Sequence, residues 1–364
     1  MKVLLINSVC GIGSTGKIAG TLAEDFVKQG HEAVIAYGRD GTVPDRYRPF
    51  AHRIGTDMDV KISALRTRLL DDHGFANEKA TREFLKWADS YDPDLLWLHN
   101  IHGYYIHVGM LFDWIKSRPH MQVKWTLHDC WAFTGHCAHF TAAKCDRWKN
   151  GCHDCPEKGS YPASKVLECS RKNFIRKKAA FTGVPEMTII VSSKWLGNLV
   201  QESFLGEYPV EVCYNTIDTD IFRPTPGDFR QKHGLEYKKL ILGVASVWTE
   251  RKGLFDFLEL RKLLDDSHAI VLVGLTPEQM QTLPEGILGI NRTNNARELA
   301  EIYTAADVFF NPTYEDNYPT VNLEAESCGT RVITYDTGGC AETIRRKDST
   351  VIPVGAFHLL KERI

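Results

Sequence analysis

Short runs of β-branched and aliphatic residues recur along this chain, each ended by small polar residues or glycine, and they alternate with stretches of helical apolar spacing. Few architectures besides parallel α/β sheets accept that alternation. Lys2 to Ile6 is the first run, closed by Asn7 and Ser8, and it reads as a buried parallel strand. Ile18, Leu22, Ala23, Phe26 and Val27 then repeat at helical spacing up to Gly30, and Ala33 to Tyr37 is the next strand. Strand, glycine loop, helix and strand make a βαβ unit. Runs at Leu95 to His99, Val123 to Leu127 and Thr188 to Val191 continue the pattern. A second series opens at Leu240 to Ala245. It continues through a helix at Leu254 to Leu264, a strand at Ile270 to Gly274 and a helix at Arg297 to Ala305, and ends with strands Val308 to Asn311 and Val332 to Tyr335 around a helix over Thr320 to Cys328.

The same plan thus appears twice without a sequence repeat, and 364 residues suffice for two cores. The Pro/Asp/Thr-rich segment Asn215 to Gly227 is the linker candidate. The expected division is a first domain over 1–208, carrying a cysteine-rich insertion at 130–160, and a second over 209–364. Both are expected to be doubly wound and Rossmann-like, facing a central cleft lined by the carboxyl ends of both sheets, where open sheets usually bind ligands.

Composition narrows the function. Hydrophobic residues at 43% and charged residues at 25% are those of a soluble globular protein, and a net charge of -2 gives no global attraction to nucleic acid or anionic lipid. The opening MKVLLINS lacks the longer apolar region and cleavage site of a signal peptide, and no run approaches the roughly 20 apolar residues of a membrane span. A cytoplasmic location is expected. There the 10 cysteines are thiols, metal ligands or catalytic groups before they are disulfides.

Several motifs point elsewhere on inspection. Gly11, Gly13 and Gly16 satisfy G-x-G-x-x-G between a strand and a helix, but the second strand ends in Tyr37-Gly38-Arg39 with no acid at its tip for a ribose, although Asp40 is close. The same glycines with Lys17 nearly form a phosphate loop, yet Ile18 stands where Ser or Thr must meet magnesium. The glycine turn lies at the carboxyl end of a strand, which favours close approach of a substrate there. D-x-D triplets occur at Asp57/Asp59, Asp92/Asp94 and Asp218/Asp220, a number that chance supplies in an acid-rich chain, and Asp92 and Asp94 precede their strand. No catalytic metal is expected.

The segment from Asn311 to Gly339, NPTYEDNYPTVNLEAESCGTRVITYDTGG, carries the chemistry. Pro319 fits a first helical turn, where its missing N–H costs nothing. The amides of Thr320 and Val321 then point out of a helix start that favours phosphate. Glu324, about one turn on, can reach the ribose hydroxyls of a nucleotide whose phosphates rest there, and Glu315 or Asp316 can accept bonds from sugar hydroxyls.

Here the chain resembles family 4 of the retaining glycosyltransferases, which adopt the GT-B fold. That family places an acid, seven residues and a Glu followed by Ala and soon by Cys-Gly or Ala-Gly. Asp316 and Glu324 keep that spacing, with Ala325, Cys328 and Gly329 matching and Asp standing for the usual Glu. In GVASVWTERKG, Lys252 and Gly253 match the pair that neutralises the donor diphosphate, while the family's upstream arginine maps to Ser246, so that Arg251 has to supply that charge. His128 matches a strand-end His whose implied role is a hydrogen bond to the donor sugar, with Asp129 beside it. Asn100, His102 and Asp129 fall on the acceptor side, and Gly13, Ser246, Asn317, Thr320 and Val321 on the donor side. The resemblance implies a retaining, metal-independent transfer by front-face attack, with the departing phosphate taking the acceptor proton. A UDP-sugar is the favoured donor and a glycan or polyprenol-linked acceptor in surface polysaccharide synthesis the favoured acceptor, with no nucleic-acid partner. Two rivals stay open: a sugar-nucleotide epimerase of the same fold, and a non-catalytic, zinc-stapled glycan-binding protein.

Cys137, Cys145, Cys152 and Cys155, the last two a C-x-x-C, are candidate ligands of a structural zinc, with free or redox-active thiols as the alternative. Between Lys165 and Lys178, basic residues accompany Val166, Leu167, Phe174 and Ile175. That segment is a solvated helix face or a peripheral contact with the inner, anionic membrane surface.

Overall fold

The computed structural model describes every residue except Asp40, so the acid weighed for a ribose contact lies outside the described residues. The chain forms two compact units, Met1–Cys213 and Tyr214–Ile364. In the first unit the strands are β1 (Lys2–Asn7), β2 (Glu32–Tyr37), β3 (Ala51–Arg53), β4 (Leu95–Leu98), β5 (Gln122–Leu127), β6 (Met187–Val191) and β7 (Val210–Val212). Its α-helices are α1 (Gly13–Lys28), α2 (Asp57–Leu70), α3 (Glu78–Tyr91), α4 (Val108–Lys116), α5 (Ser170–Phe181) and α6 (Lys194–Glu202). The sheet order is β3-β2-β1-β4-β5-β6-β7, and every pairing is parallel.

The second unit repeats this plan with β8 (Lys239–Val244), β9 (His268–Val273), β10 (Ile287–Ile290), β11 (Val308–Asn311), β12 (Val332–Tyr335) and β13 (Thr350–Ile352). Its α-helices are α7 (Phe229–Lys232), α8 (Leu254–Leu263), α9 (Pro277–Gln281), α10 (Ala296–Ala305) and α11 (Thr320–Ser327). The order is β10-β9-β8-β11-β12-β13, again wholly parallel.

Wholly parallel sheets bury both faces, and the residues show it. In β1, Val3 and Leu5 pack with Ala19, Ala23 and Ile35, while Leu4 and Ile6 pack with Leu96, Leu98 and Phe112 on the other side. In β8, Ile241 joins Phe257 and Leu260, whereas Leu240 and Leu242 join Ala300 and Tyr303. Strand order reverses between β1 and β4 and between β8 and β11, so the loops leaving those strands diverge and open a crevice at their carboxyl ends.

Strands β3, β7 and β13 are missing from the sequence-based expectation because each spans too few residues to show a period, and β10 because Gly289 interrupts its apolar run. The expected boundary at 208/209 falls before β7, whose Val210 pairs with Ile189 of β6, so that the strand completes the first sheet.

Phe257 is fully buried, its ring 5.2 Å from that of Phe310 and 5.5 Å from that of Trp248. Phe257→Ala is expected to lower the unfolding free energy of the second unit by about 3–5 kcal/mol. Urea denaturation followed by tryptophan fluorescence tests this, and an unchanged midpoint would contradict the packing described.

Candidate functional site

In the second unit the crevice is built from the loop after β8, the loop after β11 and the start of α11. The first loop leaves β8 through exposed Ser246 and makes a single 3-10 turn at Glu250–Lys252. Lys252 Nζ donates to Asp316 Oδ2 at 2.5 Å, and Arg251 donates to the Glu315 carbonyl at 2.6 Å. The Arg251 carbonyl in turn accepts from the Tyr314 amide at 2.8 Å. Side chain and backbone therefore sew the two loops together.

Two glycines make that approach possible. Gly253 has φ +75°, and a Cβ there would lie 2.3 Å from the Pro312 carbonyl oxygen. Gly338 has φ +56°, with the Asp316 carbonyl 1.9 Å from where its Cβ would be. The adjacent Gly339 amide donates to that carbonyl at 3.1 Å. The backbone of Asp316 is thus held from both sides.

The two candidate carboxylates separate by burial. Glu315 is 1% exposed, whereas the Asp316 side chain keeps 19% of its surface beside Lys252. Asn317 is buried next to them. Pro319 is the residue before α11 instead of its first helical residue, and its carbonyl accepts from the Asn322 amide at 3.2 Å. Pro319, at the N-cap position, makes no side-chain capping hydrogen bond. Buried Asn322 accepts from Asn311 Nδ2 at 2.9 Å and donates to Thr343 at 2.8 Å, which fixes the helix against the end of β11. One turn in, Glu324 Oε2 accepts from the Tyr303 hydroxyl of α10 at 3.0 Å.

Two residues of this scaffold escape a motif-based reading. Tyr303 is fully buried and orients Glu324; burial first, then the adjacent Glu324, push its phenol well up. Asp256 of α8, 2% exposed, accepts from Tyr314 at 3.0 Å and from Tyr335, bracing the same loop; burial raises its carboxyl despite both hydroxyls. An acid at a core position of a helix is the one signal that the sequence offers for it.

In the first unit, Asn100, His102, His128 and Asp129 line one small pocket with His99 and Trp131, past the ends of β4 and β5. His99 Nδ1 lies 3.2 Å from His128 Nε2, and the rings stack with centroids 5.5 Å apart. Burial pushes the His128 imidazole down to about 4 and holds His99 well below the ordinary value too. His102 Nε2 sits 3.1 Å from Asp129 Oδ2, and its Nδ1 lies 3.1 Å from the hydroxyl of half-exposed Tyr161. Burial alone would raise the Asp129 carboxyl, but His102 and the Trp131 amide outweigh it and hold the group well below the usual carboxylate range. Asn100 is tied by its amide to Asn7 Oδ1 at 3.2 Å. Gly13 is exposed at the first residue of α1, while a Cβ at Gly11 would lie 2.2 Å from the Tyr47 ring, so Gly11 makes room for the fold.

The cysteines require a correction. Cys137, Cys145, Cys152 and Cys155 do line one small cavity with Phe140 and Trp148, but among the described residues no group of three or more His, Cys, Asp or Glu side chains is placed to hold a metal ion. The structural zinc expected from their spacing is unsupported. The thiols are engaged with one another and with the backbone: a hydrogen bond between Cys137 and Cys155 raises the first and lowers the second to about 7, and burial pushes Cys152 up to about 11 while its sulfur accepts from the Gly135 amide at 3.1 Å. The basic stretch is corrected in part as well. Lys177 is 1% exposed, donating to the carbonyls of Trp131 at 2.7 Å and Thr134 at 3.1 Å, so its charge serves the insertion and not the surface.

Comparison with known proteins agrees with this architecture. Residues 238–363 match the family described as glycosyl transferases group 1. The putative colanic acid biosynthesis glycosyl transferase WcaC of Escherichia coli K12 is 28% identical over 175 residues, 46% of this chain and 42% of its own length. The chain thus spans less than half of that relative. Among solved structures, sucrose-phosphate synthase from Thermosynechococcus elongatus superposes with TM-score 0.68 at 16% identity, covering 100% of this chain and 88% of that one. HepE of Anabaena, crystallised in complex with UDP, gives TM-score 0.65 at 12% identity over 100% and 89%. The fold is GT-B, with two parallel-sheet α/β domains. Within it, the match to the glycosyl transferases group 1 family is confined to residues 238–363.

His128 and His99 are neutral when folded and charge more readily when unfolded, because their folded values lie below the unfolded reference. The unfolded state then binds more protons, so first-unit stability is expected to fall as pH drops from about 6.5 towards about 4. His128→Gln is expected to flatten part of that slope in urea titrations at successive pH values. A slope equal to that of the unsubstituted protein would refute the assignment.

Proposed function

We propose that this chain is a retaining glycosyltransferase that moves a sugar from a nucleotide sugar, a UDP-sugar in the favoured case, to a glycan or lipid-linked acceptor of a surface polysaccharide. The observation that carries the reading is the Lys252–Asp316 pair in the loop that leads into α11, with Glu324 oriented one turn into that helix. WcaC is named for colanic acid biosynthesis and HepE is crystallised with UDP, which supports the substrate class.

On this reading the donor diphosphate rests against the amides of Thr320 and Val321, where the helix dipole and backbone N–H groups favour negative charge. Lys252 exchanges part of its contact with Asp316 for the phosphate as the sugar–phosphate bond breaks. Arg251 adds positive charge while bracing the loop. These groups stabilise charge that grows in the transition state, the largest single contribution an enzyme of this kind makes. Glu324 takes the ribose hydroxyls, and Asp316, more accessible than Glu315, takes hydroxyls of the donor sugar with Asn317 and Ser246 nearby. Within the first unit, His128, neutral near pH 7, offers a hydrogen bond to a sugar hydroxyl without adding charge. The acceptor hydroxyl attacks from the face the leaving group departs, and the departing phosphate oxygen takes its proton. Asn100, His102 and Asp129 serve the acceptor. A lipid-linked acceptor would bring the protein to the membrane surface.

The test is slow hydrolysis and binding of UDP-, GDP- and ADP-sugars. Lys252→Ala and Glu324→Gln are each expected to reduce turnover on the order of 10²-fold or more with unchanged circular dichroism. Absence of binding and turnover with all three donor classes would overturn the proposal.

A further inference from the structure

Helix α2 is packed the wrong way round for a surface helix. Such helices bury their large apolar residues and present polar ones to water. Here only Val60 among the aliphatic residues packs inward, the buried residues are Ser63 and Thr67, 2% and 0% exposed, and the Thr67 hydroxyl has no hydrogen-bond partner among the described residues. On the opposite side Met58, Ile62, Leu65 and Leu69 are 61%, 57%, 58% and 45% exposed. Their spacing of four, three and four residues places them in one narrow stripe along the helix.

The stripe continues beyond the helix. The Lys165 amide donates to the Arg68 carbonyl at 2.8 Å and the Leu167 amide to the Leu69 carbonyl at 3.1 Å, laying the segment 165–167 along the end of α2. Val166 and Leu167 are 60% and 45% exposed there. A contiguous apolar strip of this kind marks a surface with a partner.

The charges beside it identify the partner. Lys61 and Arg68 flank the stripe on α2, and Lys165, Arg171 and Lys172 lie exposed on the adjoining segment. Acids at the amino end are already engaged: Asp57 pairs with Arg53, and Asp59 closes the capping box with Thr56. At the carboxyl end, Arg66 is taken by Asp72 and Glu78. Large apolar side chains along the centre and unpaired cations at the margin fit the interface of an anionic lipid bilayer, where the former enter the acyl boundary and the latter meet phosphate.

We propose that the outward face of α2, extended by Val166 and Leu167 and edged by Lys61, Arg68 and Lys165, docks this chain on anionic membrane. This shifts the contact from the basic residues of α5, one of which is buried, to α2. It stands independently of the proposed transferase activity.

The experiment is co-sedimentation of the full chain with vesicles of phosphatidylcholine alone and of phosphatidylcholine containing roughly a third phosphatidylglycerol. Binding is expected to the anionic vesicles, and to weaken as salt rises. Combined Ile62→Ser, Leu65→Ser and Leu69→Ser is expected to reduce it roughly tenfold or more, with melting temperature and turnover of soluble donor unchanged, since these side chains touch water and not the core. Lys61→Glu with Arg68→Glu is expected to abolish the preference for anionic over neutral lipid. Equal partitioning of wild type and the triple variant would overturn the proposal. So would a wild-type dimer in light scattering that the triple variant converts to monomer without any vesicle binding, which would assign the face to a second copy of the chain.

Discussion

A sheet whose strands all run one way must be covered on both faces, because each return crossing lays a helix over one side. That requirement governs both units. It makes β1 and β8 apolar on both faces, and it collects the loops that leave the carboxyl ends on one edge of each sheet. Where strand order reverses, between β8 and β11, neighbouring loops travel in opposite directions and leave a gap. The gap holds Ser246, Arg251, Lys252 and Asp316.

Holding charged groups in that gap requires a second layer of polar contacts. The loop 313–316 carries a cation's contact on Asp316 and a guanidinium on the Glu315 carbonyl, while Asp256 grips it from beneath through Tyr314. Each contact removes freedom that would otherwise have to be frozen when a ligand arrives, so the arrangement is organised beforehand. Glu324 is treated the same way by Tyr303. The pocket of the first unit differs in kind. Burial holds His99 and His128 there below the ordinary imidazole value, so the pocket offers hydrogen-bonding direction more than charge.

The fold was legible because buried parallel strands leave unbroken apolar runs, and the place of Glu324 one turn into a helix was legible because the pattern around it is local. Contacts between distant segments were not. Nothing in the string around Tyr303 announces its bond to Glu324, and nothing near Tyr161 announces His102. Strands such as Val210–Val212 lie at an exposed edge, where alternation is weak and length insufficient. The zinc expectation is unsupported: spacing shows only that thiols can meet, and among the described residues no group is placed to hold a metal ion. Lys177 misled in the opposite sense, since a lysine in a basic run reads as solvated until its ammonium is found beneath Trp131.

The division at Cys213 has a further consequence. The first unit is one uninterrupted stretch of chain, with β7 closing its sheet before the second unit begins, and each unit carries its own clusters of buried side chains on both sheet faces. No strand of either sheet is borrowed from the other half. During synthesis the leading half therefore has all its pairing partners as soon as Cys213 has emerged, and its inner strands are paired on both sides before the trailing half supplies competing ones. A chain that builds the same architecture twice, from similar apolar runs, is protected from exchanging strands between its halves by the order in which it is made.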